Sequence, residues 1–172
     1  MKQTLKTLSL YCKGANGKVI TILEGMPEDH FKKDMQTYFK SIYKTFIHMT
    51  TPDINWFVRL QGVFPDSILS ESQFLHTAVA DLEAEIKINS QAIFTIRKTA
   101  DQLFVDFINE LGEEDFEKVI NHKNRAGDEM SNKLGNILLH LFTHQTHHRG
   151  AISAMLDIQG IDNDYSGLFK YL

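Results

Sequence analysis

Residues 138 to 149 read LLHLFTHQTHHR, and the rest of the chain is best understood outward from this stretch. It places His140, His144, His147 and His148, half of the chain's 8 histidines, inside an apolar run. Around it Leu134, Ile137, Leu138, Leu141, Ile152, Met155 and Leu156 recur three or four apart, the spacing of one face of a helix. The helix is expected to start with Ser131 as its N-cap and to run to Gly160. At roughly 100° per residue, His148 lies nearest the centre of the apolar face, His144 about 40° further round and His140 about 40° beyond that. His147 falls furthest toward solvent. His144 and His148 therefore face inward at the i, i+4 spacing that brings two imidazoles from adjacent turns to one metal ion.

Three further helices are expected upstream. Leu5, Leu8, Cys12, Ala15, Val19, Ile22 and Leu23 form a stripe that stops near Gly25 and Pro27. A second helix spans Asp34 to Gln61 through Phe39, Ile42, Phe46, Met49, Phe57 and Leu60, with a kink or interruption near Pro52, which lacks the backbone donor a helix needs. Residues 62–73 mix Gly, Pro, Asp and Ser and make a loop. The third helix runs from Leu82 through Ile86, Ile93, Ala100 and Phe104 to Leu111, with Gly112 able to end it. Between Glu113 and Met130 a polar stretch with a turn signal at 125–128 suggests a small hairpin or an irregular crossover. Four long amphipathic helices with no convincing pair of long strands argue for an all-α four-helix bundle in one domain spanning residues 1–172. Two connections of about a dozen residues imply at least one crossover.

Composition narrows the function. Net charge is −4 with no run of Lys or Arg, so neither nucleic acid nor an anionic membrane is an expected partner. No stretch approaches the length of a membrane span, and the N-terminus lacks a signal-peptide core. Cys12 is the sole cysteine, which excludes an internal disulfide and a thiolate zinc site and suits a cytoplasmic protein. On the apolar stripe of the first helix, Cys12 reads as a small core residue.

Two polar neighbours, Gln145 and Arg149, also fall within the apolar arc of the histidine helix. Four polar side chains facing a core are costly unless they line a site. There is no HExxH and no ExxH, so neither a zincin helix nor a di-iron carboxylate bundle is present. A mononuclear site with nitrogen ligands remains, and His30, His48, His76 and His122 are the candidates for a third ligand. His48 sits opposite the main apolar stripe of the second helix, on a face shared with Ser41, Thr45, Pro52, Asn55 and Trp56. That face is either solvated or lines a cavity beside the core.

The run HQTHHRG from His144 to Gly150, the segment from His48 through Asp53 to Trp56, and YCKGAN from Tyr11 to Asn16 together resemble the DinB family, helical bundles related to bacillithiol and mycothiol S-transferases. The resemblance covers nearly the whole chain. It implies an up-down-down-up bundle and a divalent metal, zinc or nickel, held by three histidines: His48 from the second helix, and His144 and His148 from the fourth. Three neutral imidazoles leave coordination positions open for water or substrate, as in catalytic rather than structural sites. Gln145, Asn16 and Asp53 are candidates to orient the imidazoles. Arg149 is a candidate to hold an anionic substrate group, or alternatively to pair with a carboxylate such as Asp53.

Two functions stay open on this basis. One is a metal-dependent enzyme acting on a small molecule, either a transferase using a low-molecular-weight thiol or a hydrolase. The other is a non-catalytic homodimeric bundle whose histidines are structural or take up metal adventitiously.

Overall fold

The stripe beginning at Leu5 folds as α1 (Lys2–Glu24), burying Leu5, Cys12, Ala15, Val19 and Leu23. In this computed structural model, residues 1–72, 75, 84, 89–124 and 126–171 are described, and they are mostly helical. Gly25 ends α1, and Pro27 opens a short α2 (Glu28–Lys32). The second long helix begins later than its apolar pattern suggests. As α3 it spans Ile42–Val63, because the Ser41 hydroxyl accepts the Lys44 amide and caps the first turn there. Residues 33–41 instead form a tight connection in which Gln36 and Lys40 take left-handed conformations, with φ of 56° and 71°. Pro52 lies inside α3 without ending it. It has no N–H to offer the carbonyl of His48, one turn earlier.

A single turn, α4 (Ile68–Glu71), occupies the expected loop. Helix α5 (Ala92–Glu110) is the described part of the third long helix, and Leu82 and Ile86 lie outside the described residues. After it come a 3-10 turn over Glu114–Glu117 and an antiparallel hairpin of β1 (Val119–Lys123) and β2 (Glu129–Lys133), with Asn121 opposite Ser131. Ser131 is therefore not a helix cap. Its hydroxyl donates to the Asn121 side chain across the hairpin, and the last long helix, α6 (Leu134–Ile158), starts only where strand pairing stops. Gly160, at φ 70°, follows the end of α6 in the left-handed conformation that glycine adopts without steric cost.

The order of contacts shows how the long helices meet. Lys2 reaches the carbonyls of Asn109 and Leu111, Asn16 reaches Asp101 and Glu24 reaches Lys98, so ascending α1 meets descending α5. Cys12 lies against Phe142 and Asn16 against Gln145, so α1 and α6 ascend together. Phe46, Asp53 and Phe57 of α3 meet Phe94, Arg97 and Phe104 of α5 in the same order. Against α6 the order of α3 reverses, with His48 facing His148 and Asp53 facing Gln145. Phe46, Phe57, Phe104, Phe107 and Phe142 are buried where these helices meet, each worth roughly 1.5–3 kcal/mol of burial. Among the described residues, no helix is long and apolar enough to cross a membrane.

Candidate metal centre

His48 on α3 and His144 and His148 on α6 come together between the two helices. Nε2 of His144 lies 3.1 Å from Nε2 of His148 and 3.4 Å from Nε2 of His48. One ligand nitrogen from each of the three lies within 4.8 Å of the others. A tetrahedral ion with nitrogen bonds of about 2.0–2.1 Å would hold its ligand nitrogens about 3.3 Å apart, so the donor set fits one ion. His48 reaches this point because the second face of α3 is not solvated: Ser41 and Thr45 are buried, and His48, Pro52, Asn55 and Trp56 line a cleft.

The three imidazoles suit a cation electrically. Burial, reinforced by His48, His140 and His147, pushes His144 down to about 4. Burial, followed by the charges of His144, His48 and His147, does the same to His148, again to about 4. Both are neutral donors at physiological pH. Phe39, delivered by the connection before α3, stacks on the His48 ring at 4.2 Å and meets His148 edge-on at 5.4 Å. Nδ1 of His144 and of His148 is buried without a hydrogen-bond partner among the described residues, so the polar contacts of those two rings run through Nε2.

The remaining histidines lie elsewhere. His140 and His147 are exposed on α6, His30 is exposed on α2, and His76 is outside the described residues. His122 sits on β1, packed edge-on against Trp56 at 4.8 Å.

Beneath the histidines is a buried polar network that draws one or two residues from each long helix. Arg97 of α5 lies between Asp53, 2.5 Å away, and Asp101, 2.8 Å away. Gln145 donates to Asp53 at 2.8 Å and accepts from Asn16 at 2.9 Å, while Asn16 also donates to both oxygens of Asp101. Arg149 donates to Asn16 at 3.0 Å and Thr146 at 2.9 Å and lies over the Tyr11 ring. The expected pairing of Arg149 with Asp53 is therefore corrected: the partner of Asp53 is Arg97, and Arg149 reaches α1. Asn16, Asp53 and Gln145 bond to one another and to Arg97, Asp101 and Arg149 in the described network. Two arginines face two aspartates, which balances the formal charge. Burial still pushes Asp53 up to about 6, against the pull of Arg97, and also raises Asp101.

Arg97 and Asp101 were missed from sequence, although the signal existed. They are an i, i+4 pair inside the apolar arc of Ile93, Ile96, Ala100 and Phe104, the same anomaly that singled out Gln145 and Arg149. Its spacing places Phe39 on a helical stripe, and nothing local in the sequence shows that it folds over the histidines.

The cleft that opens at His48 has a volume of about 840 Å³. Its walls are α3, the connection carrying Tyr38 and Phe39, and the hairpin residues His122, Lys123 and Asn124. The sequence profile of the DinB family matches residues 1–164. The chain belongs to the DinB family. It is 24% identical over 161 residues to the protein named Protein DinB of Bacillus subtilis (strain 168), covering 92% of this chain and 88% of that relative. No solved structure gives a significant match. Membership of the DinB family and the histidine cluster together fit a metal-binding protein of DinB type.

Proposed function

We propose that His48, His144 and His148 hold one divalent ion, zinc or nickel, and that the protein is a metal-dependent enzyme acting on a small molecule in the adjoining cleft. The reaction is transfer of a low-molecular-weight thiol or hydrolysis. The observation that carries this reading is the convergence of three imidazole nitrogens beside a cleft of about 840 Å³ that opens at His48, a size typical of small-molecule sites. When bound, such an ion supplies the Lewis acidity that activates a thiol or water near neutral pH. The chain's own residues prepare the place: neutral imidazoles present their lone pairs, Phe39 shields two of the rings from water, and the cleft admits the substrate on the His48 side.

The four long helices form one up-down-down-up bundle, which the order of their contacts supports. The protein is cytoplasmic and forms a homodimer, and light scattering on the eluted protein tests the latter.

Metal analysis of protein purified without a histidine tag tests the central claim. About one equivalent of metal per chain is expected, lost in His48→Ala, His144→Ala and His148→Ala. Bound metal with electrophile consumption that requires added thiol identifies a transferase, whereas turnover without thiol identifies a hydrolase. Absence of stoichiometric metal after incubation with zinc and nickel would refute the site.

A further inference from the structure

The cleft beside the histidines carries a charge pattern that metal binding does not use. Lys44 and Arg59 on α3 and Lys123 on the hairpin line it, and among the described residues none of its lining is acidic. The chain as a whole has 22 acidic against 18 basic residues, so the sign of the cleft is opposite to that of the molecule. Lys123 pairs with the exposed Glu129 at 3.2 Å. Among the described residues, no carboxylate pairs with Lys44 or Arg59. Between these cations the cleft is aromatic. The Arg59 guanidinium lies over the Trp56 ring at 5.1 Å, and Phe39 forms the wall nearest the histidines.

We propose that this cleft takes an organic anion, a small molecule whose carboxylate, sulfonate or phosphate group is held by Arg59 and whose flat or apolar body lies along Trp56 and Phe39 toward His48, with Lys44, about 22 Å away along α3, at the opposite end of the cleft. Like-signed groups on the walls of a cleft focus their field into it and concentrate counter-ions there. Guanidinium forks suit two-oxygen anions, and an indole offers a large flat contact. Three separated cations along an open cleft on an acidic protein do not form the continuous basic stripe that a nucleic-acid backbone requires. The inference rests on the metal reading for what happens to the molecule, but binding of the anion comes from Arg59 and persists without metal.

Trp56 is the only tryptophan in the chain, so intrinsic fluorescence reports on this cleft directly. The probe is para-nitrobenzenesulfonate, a quencher whose sulfonate coordinates metals weakly. Its neutral and cationic matches are para-nitrobenzyl alcohol and para-nitrobenzyl-trimethylammonium. Saturable quenching by the sulfonate is expected, at least about tenfold tighter than by either match. Arg59→Gln should weaken it about tenfold, and about 0.5 M salt should have a comparable effect by screening. Lys44→Gln, at the far end of the cleft, leaves the Arg59–Trp56 contact intact and should weaken it less than about twofold.

Equal affinity for the three compounds, or unchanged affinity in Arg59→Gln, overturns the proposal. So does loss of the anion preference in folded His144→Ala, since the anion would then be held through the metal centre. Zinc content is measured on the same samples. Anion selectivity without stoichiometric zinc supports the cleft assignment while refuting the metal centre.

Discussion

Replacing Arg97 by leucine is the sharpest test of how the interior is held together. The guanidinium has no exposed surface and lies between Asp53 and Asp101, whose side chains are 0% and 3% exposed. In Arg97→Leu each carboxylate keeps an amide donor, Gln145 for Asp53 and Asn16 for Asp101, but both lose the guanidinium that pairs with them, and Arg149, the buried cation that remains, forms an ion pair with neither among the described residues. Removing one partner of a buried ion pair costs roughly 3–5 kcal/mol, because the charge left behind has neither water nor a counter-ion. Against total stabilities of about 5–15 kcal/mol, that is a large fraction. The pH dependence carries the signature. Asp53 already titrates near 6 in the folded chain, above its ordinary 3.8, because burial outweighs Arg97. A carboxyl whose folded pKa is raised binds protons more readily folded than unfolded, so its burial penalty is present above the folded pKa and is relieved as pH falls toward the unfolded value. Without Arg97 the folded values rise further, so the loss measured by urea unfolding should be larger near pH 8 than near pH 5. Adding Asp53→Asn and Asp101→Asn should recover much of it, since a neutral hydrogen-bonded cluster avoids desolvating charge. A loss below about 1 kcal/mol, or an equal loss at both pH values, would refute this account of the network.

Proton competition at the histidines should be weak, because burial holds His144 and His148 near 4 rather than 6.5. Zinc measured by chelator competition should stay bound at about pH 5.5, where an ordinary histidine is mostly protonated, and release between pH 7 and 6 would contradict the burial argument. For the metal-free protein the sign is the same: the unfolded chain takes up these protons first, so stability should fall as pH drops from about 6.5 toward 4. Ser41→Ala should lower stability by about 1 kcal/mol in a thermal melt by removing the cap that sets the start of α3. Cys12 is buried and its thiol is pushed up to about 11, chiefly by burial, so the native protein should resist a disulfide reagent near pH 8 and react fully once unfolded.

How much of this was legible in sequence depends on whether the deciding physics is local. Helical periodicity placed α1 and α6 well and faced His144 and His148 inward, because those helices bury one stripe each. It failed for the start of α3, where the Ser41 cap and the left-handed residues Gln36 and Lys40 outweigh an apolar pattern that continues through Phe39. It failed at Ser131, whose hydroxyl suits a helix cap but whose backbone is claimed by β1. His48 lies on the less apolar face of its helix, and only the closure of Phe39 and the hairpin over that face makes it part of an interior. Arg97 carried a readable anomaly. Its partners, forty-four residues upstream and one turn downstream, were not both deducible from spacing.

The buried network also works as an alignment key for the histidines. Asp53 meets Gln145 one turn below the point where His48 meets His144 and His148. A slide of α3 along α6 by a single turn, about 5.4 Å, would carry Asp53 away from both Gln145 and Arg97 and strand charge in the core. The three imidazole nitrogens are thus kept within reach of one ion by charged and amide groups that never touch it. The rim of the cleft, built from the hairpin and the connection before α3, makes no bond to that key among those described, so its residues can change without moving the histidines out of register.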